Sequence, residues 1–348
     1  MGDNGLHPPV SVTARDARIL VAITVHFNAA RLEYLAEVMR SLAEFPVAVM
    51  TVILVTNTVH EAELAVLRRL CDEILPGQGA SVRSYEYLAH PHYLTWRHRK
   101  MIASEFGGGA KGRYTHFIYL EDDIRLSFAN FCYFVEFREV LRDAGLLPSF
   151  LRVEYSKDLN GFVNSDTKIP VDVSHQAQIE VGHIIMTNMP FPYNPCYILD
   201  AALAAEFLRT RSFKRESSRA VTDMEVRERA AMGLCYENVP EPFQCRYVVP
   251  ISKTTGMALN RAWISHLPNN YANDPKSDFG KVRMDALFVN VGGSASRAQQ
   301  GAVDEAGRTE AHATRGRAKR RRWSNIDFYL ILPNKIIEGL RWRLGYKR

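Results

Sequence analysis

Hydrophobic positions in the first 125 residues fall into two alternating patterns. Ile19 to Val25 is a nearly unbroken apolar run rich in β-branched residues. Such a run suits a strand buried on both faces, as in a parallel sheet. Asn28 follows at a helix N-cap position. Leu32, Leu35, Met39 and Leu42 then recur at helical spacing until Pro46. Val47–Val55 repeats the strand pattern and Glu61–Leu70 the amphipathic helix. A strand is expected over Val82–Tyr87, and an Arg- and His-rich helix over Leu94–Phe106, closed by Gly107-Gly108-Gly109. Tyr114–Leu120 is the last strong strand of this region. The alternation predicts an α/β fold, a doubly wound mixed sheet flanked by helices. Such sheets bind ligands at the carboxyl ends of their strands. Chemistry is therefore sought just after Val25, Val55 and Leu120.

The rest is more mixed. Helices are expected near Phe128–Ala144, Ala201–Thr210 and Val221–Met232, and no internal repeat is visible. Residues 1–16 read as a polar lead-in and 17–290 as the working body, with halves of about 17–125 and 126–290. Residues 291–322, rich in Gly, Ala, Ser and Arg, read as a flexible basic linker. Residues 323–348 form a basic amphipathic extension.

Composition narrows this picture. With 348 residues, 47% hydrophobic and 24% charged, the chain is neither wholly disordered nor a small disulfide scaffold. Its five cysteines have no C-x-x-C spacing, which fits a reduced compartment and gives no zinc site. The longest apolar run, Val47–Val55, has nine residues, whereas a spanning helix needs about 20. The first residues lack the basic and apolar regions of a signal peptide, so the expected location is the cytoplasm. The net charge of +6 is unevenly spread: residues 308–348 carry 12 Lys/Arg and 3 Asp/Glu, a net +9, leaving the body at −3.

Glu121, Asp122 and Asp123 directly follow Leu120. Adjacent carboxylates repel one another unless a cation or donor-rich ligand is near. An acidic run on its own reads as a solvated turn. At the end of a buried strand it reads better as a site for a hard divalent cation, Mg²⁺ or Mn²⁺, bridging to substrate phosphates.

Phe117-Ile118-Tyr119-Leu120-Glu121-Asp122-Asp123 resembles the DxD element of GT-A glycosyltransferases, in a Glu-Asp-Asp form similar to that of the N-acetylglucosaminyltransferase I group. The resemblance implies Asp123 as metal ligand, Glu121 as a ribose or sugar contact and Asp122 as a supporting residue. Ile23-Thr24-Val25-His26-Phe27-Asn28 resembles the loop that receives the nucleotide base, implying roles for His26 and Asn28. Asn57 stands where many relatives carry an Asp that grips uracil, and an amide can still pair with a base edge. Asn194–Asp200 and the helix after it resemble the segment lining the sugar site. Asp223-Met224-Glu225-Val226-Arg227-Glu228-Arg229 resembles the acidic helix start that supplies the base of inverting members. The resemblance spans residues 17 to about 270 and implies a GT-A-like body.

The remaining candidates each have a plain structural reading. Asp223 at a helix start is otherwise a cap, with Glu225 the next candidate base in the same turn. His266 is otherwise a satisfied polar residue; the resemblance makes it an additional metal ligand beside Asp123. Arg97 and Lys100 share a helix face, a solvated face in the plain reading, with Arg97 favoured as a diphosphate contact. The C-terminal segment mixes Lys and Arg with Trp323, Phe328, Tyr329, Trp342 and aliphatic residues. That mixture suits the anionic inner face of a membrane. Packing on the body ranks next, and nucleic acid last.

These readings converge on a metal-dependent glycosyltransferase of hexosyl or N-acetylhexosaminyl type, as in polysaccharide biosynthesis. It would use a nucleotide-sugar donor, UDP-linked, and a glycan or lipid-linked acceptor hydroxyl, with inversion. A nucleotidyltransferase on a similar sheet is the enzyme alternative. A Gly-rich, Lys/Arg-bearing loop directly after the first strand would favour it, but here that loop is His26-Phe27-Asn28-Ala29-Ala30-Arg31, without glycine. A non-enzymatic basic-tail adaptor for membranes or nucleic acid is the third reading.

Overall fold

The computed structural model describes residues 13–107 and 113–291. Most of the lead-in, Gly108 and Gly109, nearly all of the linker and the basic C-terminal extension lie outside the described residues. The first elements are β1 (Arg18–Val25), α1 (Leu32–Ala43), β2 (Val49–Thr56), α2 (Glu61–Ile74), β3 (Gly79–Ser84), α3 (Arg99–Phe106) and β4 (His116–Glu121). They alternate as the hydrophobic pattern predicts. β1 is buried at every position after Arg18, which is why its apolar run has no polar alternation.

Next come β5 (Ile124–Arg125), α4 (Phe128–Leu141), β6 (Leu147–Pro148), β7 (Leu151–Ser156), β8 (Gly161–Asn164), β9 (Val171–Asp172), β10 (Gln178–Val181) and β11 (Ile184–Thr187). The series ends with β12 (Cys196–Asp200), α5 (Ala201–Phe207), α6 (Val226–Ala231), β13 (Tyr247–Ser252), β14 (Trp263–His266), β15 (Val282–Arg283) and β16 (Phe288–Val289).

The main sheet has five strands in the order β12-β4-β1-β2-β3. β1 to β4 are parallel, and β12 joins β4 antiparallel. The result is the mixed α/β sheet expected. A four-stranded sheet, β10-β11-β13-β6, a second five-stranded sheet of shorter strands, β15-β8-β7-β14-β5, and the pair β16-β9 complete the architecture. The described residues up to Val289 form one compact unit. One apolar cluster joins β1, β2, β4 and β12 to α1 through Leu35, Val38, Met39 and Leu42, and to α4 through Phe131, Tyr133, Phe134 and Phe137. All five cysteines are free thiols.

The strand expected over Val82–Tyr87 lies earlier, at Gly79–Ser84, where it pairs with β2 from Thr51 to Thr56. Three further differences from expectation have identifiable reasons. The helix expected over Leu94–Phe106 is broken: a 3-10 helix covers Pro91–Trp96 and α3 starts at Arg99. His90 caps the 3-10 segment through His92 N, and Thr95 Oγ1 donates back to His92 O. The helix expected from Val221 begins only at Val226. Thr222 Oγ1 accepts from Met224 N, a local turn that competes with helix, and Glu228 accepts from Glu225 N, which makes Glu225 the N-cap. Asp223 therefore precedes the helix instead of starting it. Asn28 does cap, but it caps a 3-10 turn, Ala29–Arg31, that leads into α1: its Oδ1 accepts from Ala30 N at 3.0 Å.

Candidate active site

Strand register places the sequence candidates along one edge of the main sheet. Val25 pairs with Thr56 and Thr56 with Ser84, so β1, β2 and β3 end level. Thr24 pairs with Glu121, so β4 ends beside them. His26, Asn57 and Tyr85 thus leave three neighbouring strands at the same edge, next to the acidic turn. His26 and Asn57 are half-buried there. The amide N–H of Glu121 donates to Pro195 O at 3.1 Å, which brings the start of β12 to the same edge.

The acidic turn is buried: Asp122 and Asp123 are each 6% exposed. Its carboxylates meet cationic and imidazole groups brought from elsewhere in the chain. Arg31 Nη2 donates to Asp122 Oδ1 at 2.6 Å and to Asp123 Oδ2 at 2.7 Å. His266 arrives through the sheets. β5, just after the turn, pairs antiparallel with β14, setting His266 opposite Ile124. Leu267 N donates to Asp123 O at 3.0 Å and locks the arrangement. His266 Nε2 stands 3.4 Å from Asp123 Oδ2. Its Nδ1 is hydrogen-bonded to Glu154 Oε1, while Glu154 Oε2 accepts from Ala272 N at 2.6 Å. β7 supplies Glu154 because it runs parallel to β14, with Val153 level with Ser265.

Burial raises the Asp122 carboxyl above its ordinary range, and the neighbouring Asp123 charge adds to that. Burial acts on Asp123 in the same sense. There the hydrogen bond and charge of His266, followed by Arg31, overcome burial and hold the carboxyl below the usual range. Burial lowers the affinity of His266 for its proton, yet Asp123 and Glu154 reverse that and raise it. Glu121 is raised by burial, with the Arg227 charge opposing. The Arg227 guanidinium is held charged first by Glu121 and then by Tyr193, so the first turn of α6 lies within electrostatic reach of the acidic turn.

Two carboxylate oxygens, Asp123 Oδ1 and Glu121 Oε1, are buried with no hydrogen-bond partner among the described residues. An orphaned anionic oxygen in a buried site asks for a cation or a donor. Among the described residues, no group of three or more His, Cys, Asp or Glu side chains is gathered as a complete metal cage. The arrangement instead offers one or two protein ligands, Asp123 and the Nε2 of His266. Mg²⁺-type sites in which phosphates and water complete the coordination use ligand sets of that size. The residues present fit such a cation.

The structure thus brings Glu121, Asp122, Asp123 and His266 together, with His26 and Asn57 on the same sheet edge. The Asn28 side chain is engaged in its local cap. Arg97 lies at the β3 end: its guanidinium sits 5.2 Å from the Tyr85 ring centroid, and Nη2 donates to Tyr87 O at 3.5 Å. The guanidinium that meets the acidic turn is that of Arg31. Asp223 and Glu225 are solvent-exposed beside α6. The sequence reading did not assign Arg31, Glu154 or Arg227. For Arg31, the one available signal was a basic residue in the loop that follows β1.

No protein-family model matches the chain, and no curated protein matches it. Solved structures overlap it in part. A mannosyltransferase from Pyrobaculum calidifontis, in complex with GDP-Man and Mn²⁺, is similar at 15% identity and TM-score 0.27, over 40% of this chain and 38% of its own. TarS of S. aureus, residues 1–349, is similar at 13% identity and TM-score 0.32, over 62% of this chain and 56% of its own. The chain therefore spans between about two fifths and just over half the length of these neighbours.

Proposed function

We propose that the chain is a metal-dependent glycosyltransferase that moves a sugar from a nucleotide diphosphate, UDP-linked, to a hydroxyl of a glycan or lipid-linked acceptor. The carrying observation is the pair Asp123 and His266 at the carboxyl edge of the parallel strands. One Asp123 oxygen is buried without a partner, and the imidazole beside it is oriented by Glu154. Carboxylate-oriented histidines of this kind are a recurring way to present a ring nitrogen to a metal.

Asp123 and His266 would hold Mn²⁺ or Mg²⁺, which when bound stabilises charge on the departing diphosphate. The chain's own residues do the rest. His26 and Asn57, on the β1 and β2 ends, flank the base. Glu121 accepts from a ribose or sugar hydroxyl through its unpartnered Oε1. The Arg227 charge opposes the effect of burial on Glu121 and so favours its accepting form. Asp223, or Glu225 two residues on, removes the acceptor proton for direct displacement with inversion. The basic segment beyond residue 308 holds the enzyme at an anionic membrane face, near a lipid-linked acceptor.

The test is a thermal-shift screen of UDP, GDP and their sugar conjugates with and without Mn²⁺, since a ligand that binds only the folded state raises its melting temperature. A Mn²⁺-dependent shift with one nucleotide family is expected. No shift with any of them at saturating concentration refutes the reading.

A further inference from the structure

Arg31 sits where the proposed cation site needs explaining. Its guanidinium bridges Asp122 and Asp123 at 2.6 and 2.7 Å, and it uses the Asp123 oxygen that also faces His266. The carboxylate partners are nearly closed to solvent, with side chains 9% and 8% exposed, but the Arg31 side chain is 37% exposed. Its backbone is pinned by the Asn28 cap on the turn after β1, so the long side chain can change partners without refolding the loop. The buried carboxylates have no such freedom.

A divalent cation on Asp123 would meet that guanidinium at the same carboxylate. Two cations sharing one carboxylate repel each other, strongly so away from solvent. Guanidinium, with five donors in a planar fork, matches phosphate oxygens as well as carboxylate oxygens. We propose that Arg31 competes with the divalent cation for Asp123, and that the displaced guanidinium becomes a diphosphate-binding group of the loaded site. Arg31 thereby couples the two ligands: the cation frees it, and the phosphates give it a new partner. This rests on the glycosyltransferase reading for the identity of the phosphate ligand, but not for the competition itself.

The experiment measures Mn²⁺ binding to the full chain by calorimetry and by the loss of the free-ion electron paramagnetic resonance signal, alone and with UDP. In wild type, UDP should tighten Mn²⁺ binding. Arg31→Gln should bind Mn²⁺ alone about tenfold more tightly, because the competitor is gone, and should lose most of the UDP enhancement, itself on the order of tenfold. Arg31→Lys keeps a cation but not the fork. It should bind Mn²⁺ alone much as wild type does and still lose the enhancement, and it serves if the Gln variant does not fold. Mn²⁺ affinity unchanged or weakened in Arg31→Gln overturns the competition. UDP enhancement retained in Arg31→Lys overturns the phosphate role. If wild type binds no UDP under any condition, the nucleotide reading and the phosphate role fall together, while the competition is still judged from Mn²⁺ alone.

Discussion

The Glu154 carboxylate holds His266 at Nδ1 and takes the Ala272 N–H with its other oxygen. The contact with Glu154 orients Nδ1 away from the acidic turn, and Nε2 is the nitrogen turned to Asp123. The orientation of this imidazole is therefore set by a residue 112 positions away in the chain. In Glu154→Gln, an amide group can accept only one of the two N–H groups. We expect Mn²⁺ affinity to fall by about 10–100-fold. Stability should fall by about 1–3 kcal/mol, from one buried donor left unpaired. Calorimetry and urea melts measure the two effects. Unaltered Mn²⁺ affinity would remove Glu154 from the site.

Asp123→Asn should leave a folded protein, because Asp122 still pairs with Arg31. It should also lose the Mn²⁺-dependent part of nucleotide binding. The readout is the melting shift given by UDP with and without Mn²⁺. A full shift in the variant means the metal is held elsewhere.

Much of this site was legible in the sequence, for unequal reasons. β1, β2 and β4 could be read because strands buried on both faces leave an uninterrupted apolar run. Glu121-Asp122-Asp123 could be read because it interrupts such a run. His266 carried no local signal, and only the family resemblance drew attention to it. Glu154 was hidden because a buried carboxylate within Leu151–Ser156 looks like the polar phase of an ordinary strand. Arg31 was hidden by distance: its partners lie 91 and 92 residues away. Around Asp223 the periodicity of Val226, Ala230 and Met232 located a helix but not its first residue. That was settled by Thr222 and Glu228, through side-chain hydrogen bonds to backbone amides.

The two candidate bases can be separated. Asp223→Asn should slow transfer by about 10²–10⁴-fold while donor affinity stays near wild type. Single-turnover rates at saturating donor and calorimetric donor affinity make the comparison. Near-normal transfer in Asp223→Asn, with a loss of that size in Glu225→Gln, would move the role to Glu225. Normal transfer in both would place the base outside the segment that leads into α6.

The segment from Arg308 on lies outside the described residues, and its charge alone supports a prediction. Each Lys or Arg near an anionic surface contributes about 1 kcal/mol, screened beyond about 8 Å at physiological salt. Apolar residues such as Trp323 and Leu344 add attachment that salt does not screen. The full chain should co-sediment with anionic vesicles, less so in high salt. A chain ending before Arg308 should remain in the supernatant and still bind its nucleotide. Equal sedimentation of both chains would refute the tail's role.

His98 and His116 give the fold an acid limit. Both are buried, at 0% and 7% exposure. Burial pushes the His116 imidazole down to about 4, with Asp200 opposing only in part. Burial, then the adjacent Arg99 charge, pushes His98 well below its ordinary range. In the unfolded chain both would titrate near the free value of about 6.5. Above that value neither form binds a proton, and the two histidines make stability no more or less dependent on pH. Below it the unfolded chain takes up protons that the folded chain refuses, so stability falls as pH drops from about 6.5 towards 4. Each group contributes up to about 1.4 kcal/mol per pH unit in that window. His116 also packs edge-on to Phe131, with ring centroids 5.0 Å apart, so His116→Gln should cost stability at every pH. Its distinguishing effect is on the slope. Between pH 6.5 and 4 the variant's unfolding free energy, from urea titrations at several pH values, should decline less steeply than wild type by about 1.4 kcal/mol per unit. Parallel curves for the two proteins would mean that His116 binds its proton as readily folded as unfolded.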